Sequence, residues 1–168
     1  MLKKYLLLVY FFCHSSVNAF SSENIVYVDL DYLFNNSNLG KKIISNLKVE
    51  NQKNIENIKK KDLILVGLEQ DLIKKKNILS KEEFDKKFLE LKSKIKIFSE
   101  EKKKVINNFE LKKNKQIKNF FKKIDPILKK YMKDNSIQLI LDKKNIILAD
   151  SKLEITEIIR KTIDKNFN

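Results

Sequence analysis

Residues 77–84 read NILSKEEF, and this stretch decides whether the middle of the chain is one rod or two helices folded back on each other. Ser80 and Glu83 stand in the S-x-x-E spacing of a capping box. There the serine oxygen accepts the N3 backbone N–H, and the glutamate accepts the serine backbone N–H in return. A start signal inside a helical region predicts a turn near 77–81 and a hairpin.

Both flanks carry a helical period. After the turn, Phe84, Phe88, Leu91, Ile95, Phe98, Val105 and Phe109 recur every 3.5 residues on average, with Lys102 at the skipped position. Upstream, Ile44, Leu47, Ile58, Leu65, Leu68, Leu72 and Leu79 keep a similar phase, with Asn51, Asn54, Lys61 and Lys75 at the skipped positions. Folding about residue 78 or 79 would set Leu72 near Phe84, Leu65 near Leu91 and Ile58 near Phe98. Arms of about 40 residues would extend ~60 Å. The polar interruptions and Gly67, which costs about 1 kcal/mol relative to alanine, predict arms that are stable but compliant.

Composition points the same way. Two glycines and one proline in 168 residues, 35% of them charged, leave little turn chemistry and favour long helices. The net charge of +14 is unevenly placed. Lys41 to Lys123 hold 25 lysines and 12 acids, a net +13, while the rest of the chain after residue 19 holds nine basic and ten acidic residues. Arg160 is the only arginine. Readers of nucleic acid rely on arginine for bidentate contacts, so the lysine bias counts against that class. The triplets Lys59–Lys61, Lys74–Lys76 and Lys102–Lys104 each wrap most of a turn and form no single stripe. They read equally well as a solubilising coat or as a binding surface. Lys74, Lys75, Lys76, Lys86 and Lys87, near the arm tips, are the candidate binding residues.

The N-terminal stretch LKKYLLLVYFFCHSSVNA, residues 2–19, has a basic start, a nine-residue apolar run and small residues at Val17 and Ala19. That is the pattern of an export signal cut between Ala19 and Phe20. The run spans only ~14 Å as a helix, against about 20 residues for a membrane crossing. An anchor fits less well, and bulky residues before Cys13 argue against a lipoprotein. Cleavage removes the only cysteine, Cys13, and the only histidine, His14. Thiol nucleophiles, Cys/His zinc sites and Ser-His-Asp triads then drop out. No Gly-rich phosphate loop is present, so no cofactor is expected and the chain does not read as an enzyme. Asp29 and Asp31 in VDLD read as solvated residues at a strand end, with Asp31 capping the next turn.

The ends read as a small body. Residues 24–30, NIVYVDL, form a β-branched strand, and 136–142, SIQLILD, with 145–149, NIILA, form a hairpin turning at Lys143 and Lys144. Asp150 or Ser151 would cap a last helix with Ile155, Ile158, Ile159 and Ile163 on one face. Three short strands are near the minimum for independent stability. Val26, Val28, Leu139, Leu141 and Ile147 are therefore expected to be buried between chains.

The order of a strand ending in VDLDYLF, Ser37 and Gly40 before a long charged helix, a mid-chain turn, a return helix, DPILKKYMKDNSIQLILDKKNIILAD and ITEIIRKTIDK resembles the Skp/OmpH family of periplasmic chaperones for outer-membrane proteins. The resemblance spans the chain after the signal. Its extreme lysine content departs from better-known members.

The resemblance implies a homotrimer with a joint β-body and three hanging hairpins. It also implies an ATP-independent holdase in the periplasm, which keeps unfolded β-barrel proteins from aggregating. Weak contact with anionic lipid or lipopolysaccharide is compatible with the lysines, and no nucleic-acid partner is expected. A structural envelope spacer and a basic nucleic-acid-binding coiled coil are the rival classes. The expected fold is α+β and mostly α: a small body of three short strands per chain bears a long antiparallel helical-hairpin coiled-coil arm, assembled as a trimer. Its parts are the signal at 1–19, first strand and turn at 20–36, arm at 37–124, and the returning helix end, hairpin and last helix at 125–168.

Overall fold

Val26 and Val28 belong to a strand, β1 (Ile25–Val28), whose β-branched residues suit a pleated, half-buried surface. The computed structural model describes residues 24–167, so the expected export signal and its expected cleavage point at Ala19 and Phe20 lie outside the described residues. After β1 come a short helix α1 (Leu30–Asn36), arm helix α2 (Asn38–Lys74) and arm helix α3 (Lys81–Asp134). Strand β2 (Leu139–Asp142), two single 3₁₀ turns (Lys143–Asn145 and Ser151–Leu153) and helix α4 (Thr156–Asn166) complete the order. Among the described residues, no helix is long and apolar enough to cross a membrane.

The expected β-hairpin does not form. β2 pairs with β1 in parallel, Ile25 opposite Leu139 and Val28 opposite Asp142, and residues 145–149 are not a strand. The sheet of the described chain thus has two strands, not three. The reason lies at Lys143 and Lys144. A two-residue hairpin needs positive φ at its centre, which Asn and Gly supply and lysine resists. Asp142 instead accepts from the Lys144 N–H and starts a 3₁₀ turn that leads the chain away. The chain then returns to the other side of β1, where Glu154 bridges Tyr27 and the Ile155 N–H donates to the Tyr27 carbonyl at 2.9 Å.

Helix starts follow side-chain oxygens. The α1 cap is Asp29, whose carboxylate accepts from the Tyr32 N–H at 2.7 Å, and not Asp31, which sits inside the first turn. Ser37 caps α2 by accepting from the Gly40 N–H, and the Ser80–Glu83 capping box opens α3 in both directions. Asp150 caps only the second 3₁₀ turn; α4 begins at Thr156 without a side-chain cap. Ile155, just before α4, and Ile159 and Ile163 within it are buried, while Ile158 faces solvent.

The core joins the body to the arm roots. Val28 of β1, Leu33 of α1, Leu39 of α2, Phe120 and Ile124 of α3, and Ile159 of α4 form one buried cluster. Phe120 is fully buried and meets Phe34 and Phe121 edge-on, with ring centroids 5.1 and 5.3 Å apart. Pro126, inside α3, removes a backbone bond, yet Ile127, Leu128 and Tyr131 pack on the core and carry the helix through.

Polar contacts complete the joint. Asp164 accepts from the Asn38 N–H at 2.7 Å, the first turn of α2, and is held by Arg160 at 2.7 Å. Arg160 also pairs with Glu157 and, with the Tyr32 hydroxyl, holds that carboxyl below its ordinary value. Thr156 accepts from the Asp29 N–H and donates to Glu154, whose carboxyl Lys143 keeps low.

Gly40 sits where α2 crosses the end of α1, and a Cβ built there would overlap the Phe34 carbonyl. Backbone cannot yield as a flexible side chain does. Gly40→Ala is therefore expected to destabilise the chain by about 3 kcal/mol, at the upper end of overpacking costs. Gly67 has nothing within 4 Å of such a Cβ, so Gly67→Ala should stabilise its helix by about 1 kcal/mol. Urea melts followed by circular dichroism would compare the two.

Candidate functional site

From Ile58 to Val105 the arm hairpin buries one apolar position per heptad, while nearer the body Ile44, Leu47 and Phe109 are half-buried as well. Ile58, Leu65, Leu72 and Leu79 on α2 and the turn, and Phe84, Leu91, Phe98 and Val105 on α3, are buried or half-buried. Leu72 and Leu91 are the most enclosed, each 8% exposed. The second seam position does not close: Leu68 is 39%, Ile95 43% and Phe88 50% exposed.

The register lies one heptad from that expected. Lys61 pairs with Glu101 at 2.6 Å, Lys112 pairs with Glu50, and Leu72 lies across from Leu91. By the same register Leu65 faces Phe98 and Ile58 faces Val105. The turn explains the shift. The N–H groups of Lys75, Lys76, Ile78 and Leu79 bond to carbonyls three or four residues back, so residues 75–79 keep coiling. Leu79 then stands opposite Phe84.

The two sides of the hairpin differ. On one, Lys61–Glu101 and Lys112–Glu50 bridge the helices, and near the tip a shallow depression is lined by Asp71, Lys75, Lys87, Glu90 and Lys94. On the other lie two apolar grooves. The tip groove, about 430 Å³, is lined by Ile73, Phe84, Phe88 and Ile95 beside the Leu72–Leu91 seam. The mid-arm groove, about 500 Å³, is lined by Ile55, Ile58, Val105, Ile106 and Phe109. In the tip groove the Phe84 and Phe88 rings are nearly parallel, 11° apart, with centroids separated by 6.4 Å.

The tip lysines singled out from the sequence are all exposed. Lys75 and Lys87 flank the charged depression, whereas Lys74, Lys76 and Lys86 do not line it. Of the body residues, Val28 is buried within one chain and Val26 is half-buried on its core. Leu139, Leu141 and Ile147 are exposed, as is Leu148 beside them, so this corner of the body presents apolar surface. The sequence reading missed Ile55, Ile73 and Ile106, which fall outside the seam. Their signal was a large apolar side chain next to the seam, on the side where the grooves open. Among the described residues, no group of three His, Cys, Asp or Glu side chains could hold a metal.

Residues 24–163 match the family described as outer membrane protein (OmpH-like). Comparison with curated proteins gives no match. Among solved structures, the chain is similar to an OmpH-like protein of Caulobacter crescentus assigned as an outer membrane chaperone. The TM-score is 0.80, over 86% of this chain and 85% of that one, at 14% identity.

The grooves are surface and the seam is structure, which a pair of substitutions separates. Leu91→Ala should cost about 2 kcal/mol, the low end for a buried leucine. Phe88→Ser, at a half-exposed position, should cost less than about 1 kcal/mol. Urea melts of arm helicity would register the difference; equal costs would place Phe88 in the seam.

Proposed function

The chain belongs to the OmpH-like outer membrane protein family, and from that premise we propose that it is an ATP-independent periplasmic holdase for unfolded outer-membrane β-barrel proteins. The observation that carries the reading is the apolar side of the arm. Six large side chains there, Ile55, Val66, Ile73, Phe88, Ile95 and Ile106, are between 42% and 63% exposed. Val66 joins the grooves' side because it lies seven residues before Ile73. A monomeric soluble surface rarely keeps so long an apolar strip without a partner. Shallow, half-open grooves suit weak contacts with an unfolded chain, and they lack the enclosed geometry that catalysis needs.

In this reading residues 1–19 direct export, 37–124 form the arm, and 20–36 with 125–168 form the body. The body assembles as a homotrimer through the apolar corner at Leu139, Leu141 and Ile147, which supports a partner of the same kind. The arm's net charge of +13 attracts acidic clients at long range, and the tip lysines Lys74, Lys75, Lys76, Lys86 and Lys87 lead that approach. Anionic lipid is a weaker partner for the same lysines.

Two outcomes follow. Replacing Leu139 by Asp should dissociate the trimer, because each copy would bury an unpaired charge at a cost of several kcal/mol. Arm helicity should persist, and an unchanged trimer mass by light scattering would rule this interface out.

Capture of a urea-diluted barrel protein should also slow as salt rises, since exposed charges act only to about 8 Å at 0.15 M ionic strength. Reversing the five tip lysines should slow capture at low salt by at least about threefold while leaving the assembly intact. Stopped-flow fluorescence measures the rate and light scattering the protection. Failure of the wild-type protein to suppress barrel aggregation would sink the holdase reading.

A further inference from the structure

The two apolar grooves occupy the same side of the arm at a fixed separation. Ile95 and Phe109 are two heptads apart on α3, as Ile73 and Lys59 are on α2, so the seven-residue repeat aligns the tip and mid-arm grooves. Ile73 to Ile55 and Phe88 to Ile106 are each eighteen residues, and Ile95 to Phe109 is fourteen. At 1.5 Å per residue these steps place the grooves ~21–27 Å apart.

An extended chain rises ~3.3 Å per residue and alternates its side chains between two faces. Only even spacings put two side chains on one face. Six residues cover ~20 Å and eight cover ~26 Å, so these two spacings match the grooves and five or seven do not.

The charges around the grooves decide what fits them. Glu69 and Lys92 flank the tip groove, and Asp62 and Glu110 face Lys59 and Lys102 at the mid-arm groove. Acids and lysines balance there, although the arm as a whole carries +13. The excess charge therefore lies outside the groove linings, and a polyanion would be drawn elsewhere. An uncharged apolar face is the complement of this surface. The lipid-facing side of a transmembrane β-strand has that character: apolar residues alternate with polar ones, and aromatic girdles flank an apolar band ~25 Å tall.

We propose that the paired grooves bind one extended β-strand segment of an unfolded outer-membrane barrel by two large apolar or aromatic side chains six or eight residues apart. The ruler rests on the holdase reading and narrows it from a client protein to a client segment. Each groove alone holds one side chain weakly, and the second contact forms within the same complex at high effective concentration. Segments with the matching period are retained, and segments without it exchange freely.

The test is a fluorescence anisotropy titration of the full-length protein with labelled 14-residue peptides of alternating Ser, Thr and Gln. They carry a single Phe or a Phe pair at spacing five, seven or eight. The spacing-eight peptide should bind about tenfold more tightly than the single-Phe and odd-spaced peptides. Phe88→Ser and Ile106→Ser, each verified helical by circular dichroism, should lower its affinity to the single-Phe level. Ile73→Ser should do the same, while Lys94→Gln on the charged side should leave it unchanged.

Equal affinity at every spacing, with protection of a full-length unfolded barrel intact, overturns the ruler and leaves the holdase reading standing. Loss of that protection in the wild-type protein overturns both. Displacement of the spacing-eight peptide by anionic lipid vesicles at low salt would overturn the neutral-groove assignment.

Discussion

A body with two four-residue strands cannot enclose a core of its own, and the arm roots supply what is missing. Phe120 and Ile124 come from the returning helix, and Leu39 comes from the first turn of the outgoing one. Burying a side chain of this size contributes about 1.5–3 kcal/mol, so losing either root would open the cluster. The joint therefore fixes where both arm helices leave the body. Its tightest point is the crossing of the α1 end over Gly40, where backbone meets backbone. The Arg160–Asp164–Asn38 chain of bonds secures the same root from the side of α4.

Away from the joint, the arm holds together by a narrower margin. Over the outer arm only one position in each heptad closes, and polar residues occupy many of the others. The ion pairs across the charged side are exposed and contribute at most about 1 kcal/mol each. They bridge the helices on one side, and the apolar grooves open on the other. An arm that closed its whole seam would be more stable and would have no grooves. The exposed apolar strip and the modest stability of the hairpin are thus two results of one residue pattern.

Charge and the grooves are divided in the same way, although exposed apolar residues such as Ile64, Ile97 and Leu111 also lie outside the grooves. The balanced grooves and the strongly basic remainder act over different distances, since a charge reaches across a Debye length and a hydrophobic contact does not. In the proposed holdase, attraction would then be strong without making release slow, because the groups that steer an acidic chain would largely not be those that hold it.

Much of the architecture was legible in local residue patterns. NILSKEEF set the turn through a capping box that needs only two side chains three residues apart. The 3.5-residue period gave both arm helices, and IVYV gave the first strand. What required the folded chain depends on residues distant in sequence. Ile25 and Leu139 are brought together only because the hairpin returns its ends to the same place, and parallel pairing follows from that return. The turn at Lys143 and Lys144 was read from strand propensity on both sides, whereas the Asp142 cap decided its course. The arm register moved by a heptad because the turn residues continued to coil. A heptad pattern marks which residues lie near a seam but does not say which seam positions close. That depends on how far apart the joint and the turn hold the two helices, and only the tertiary structure decided it.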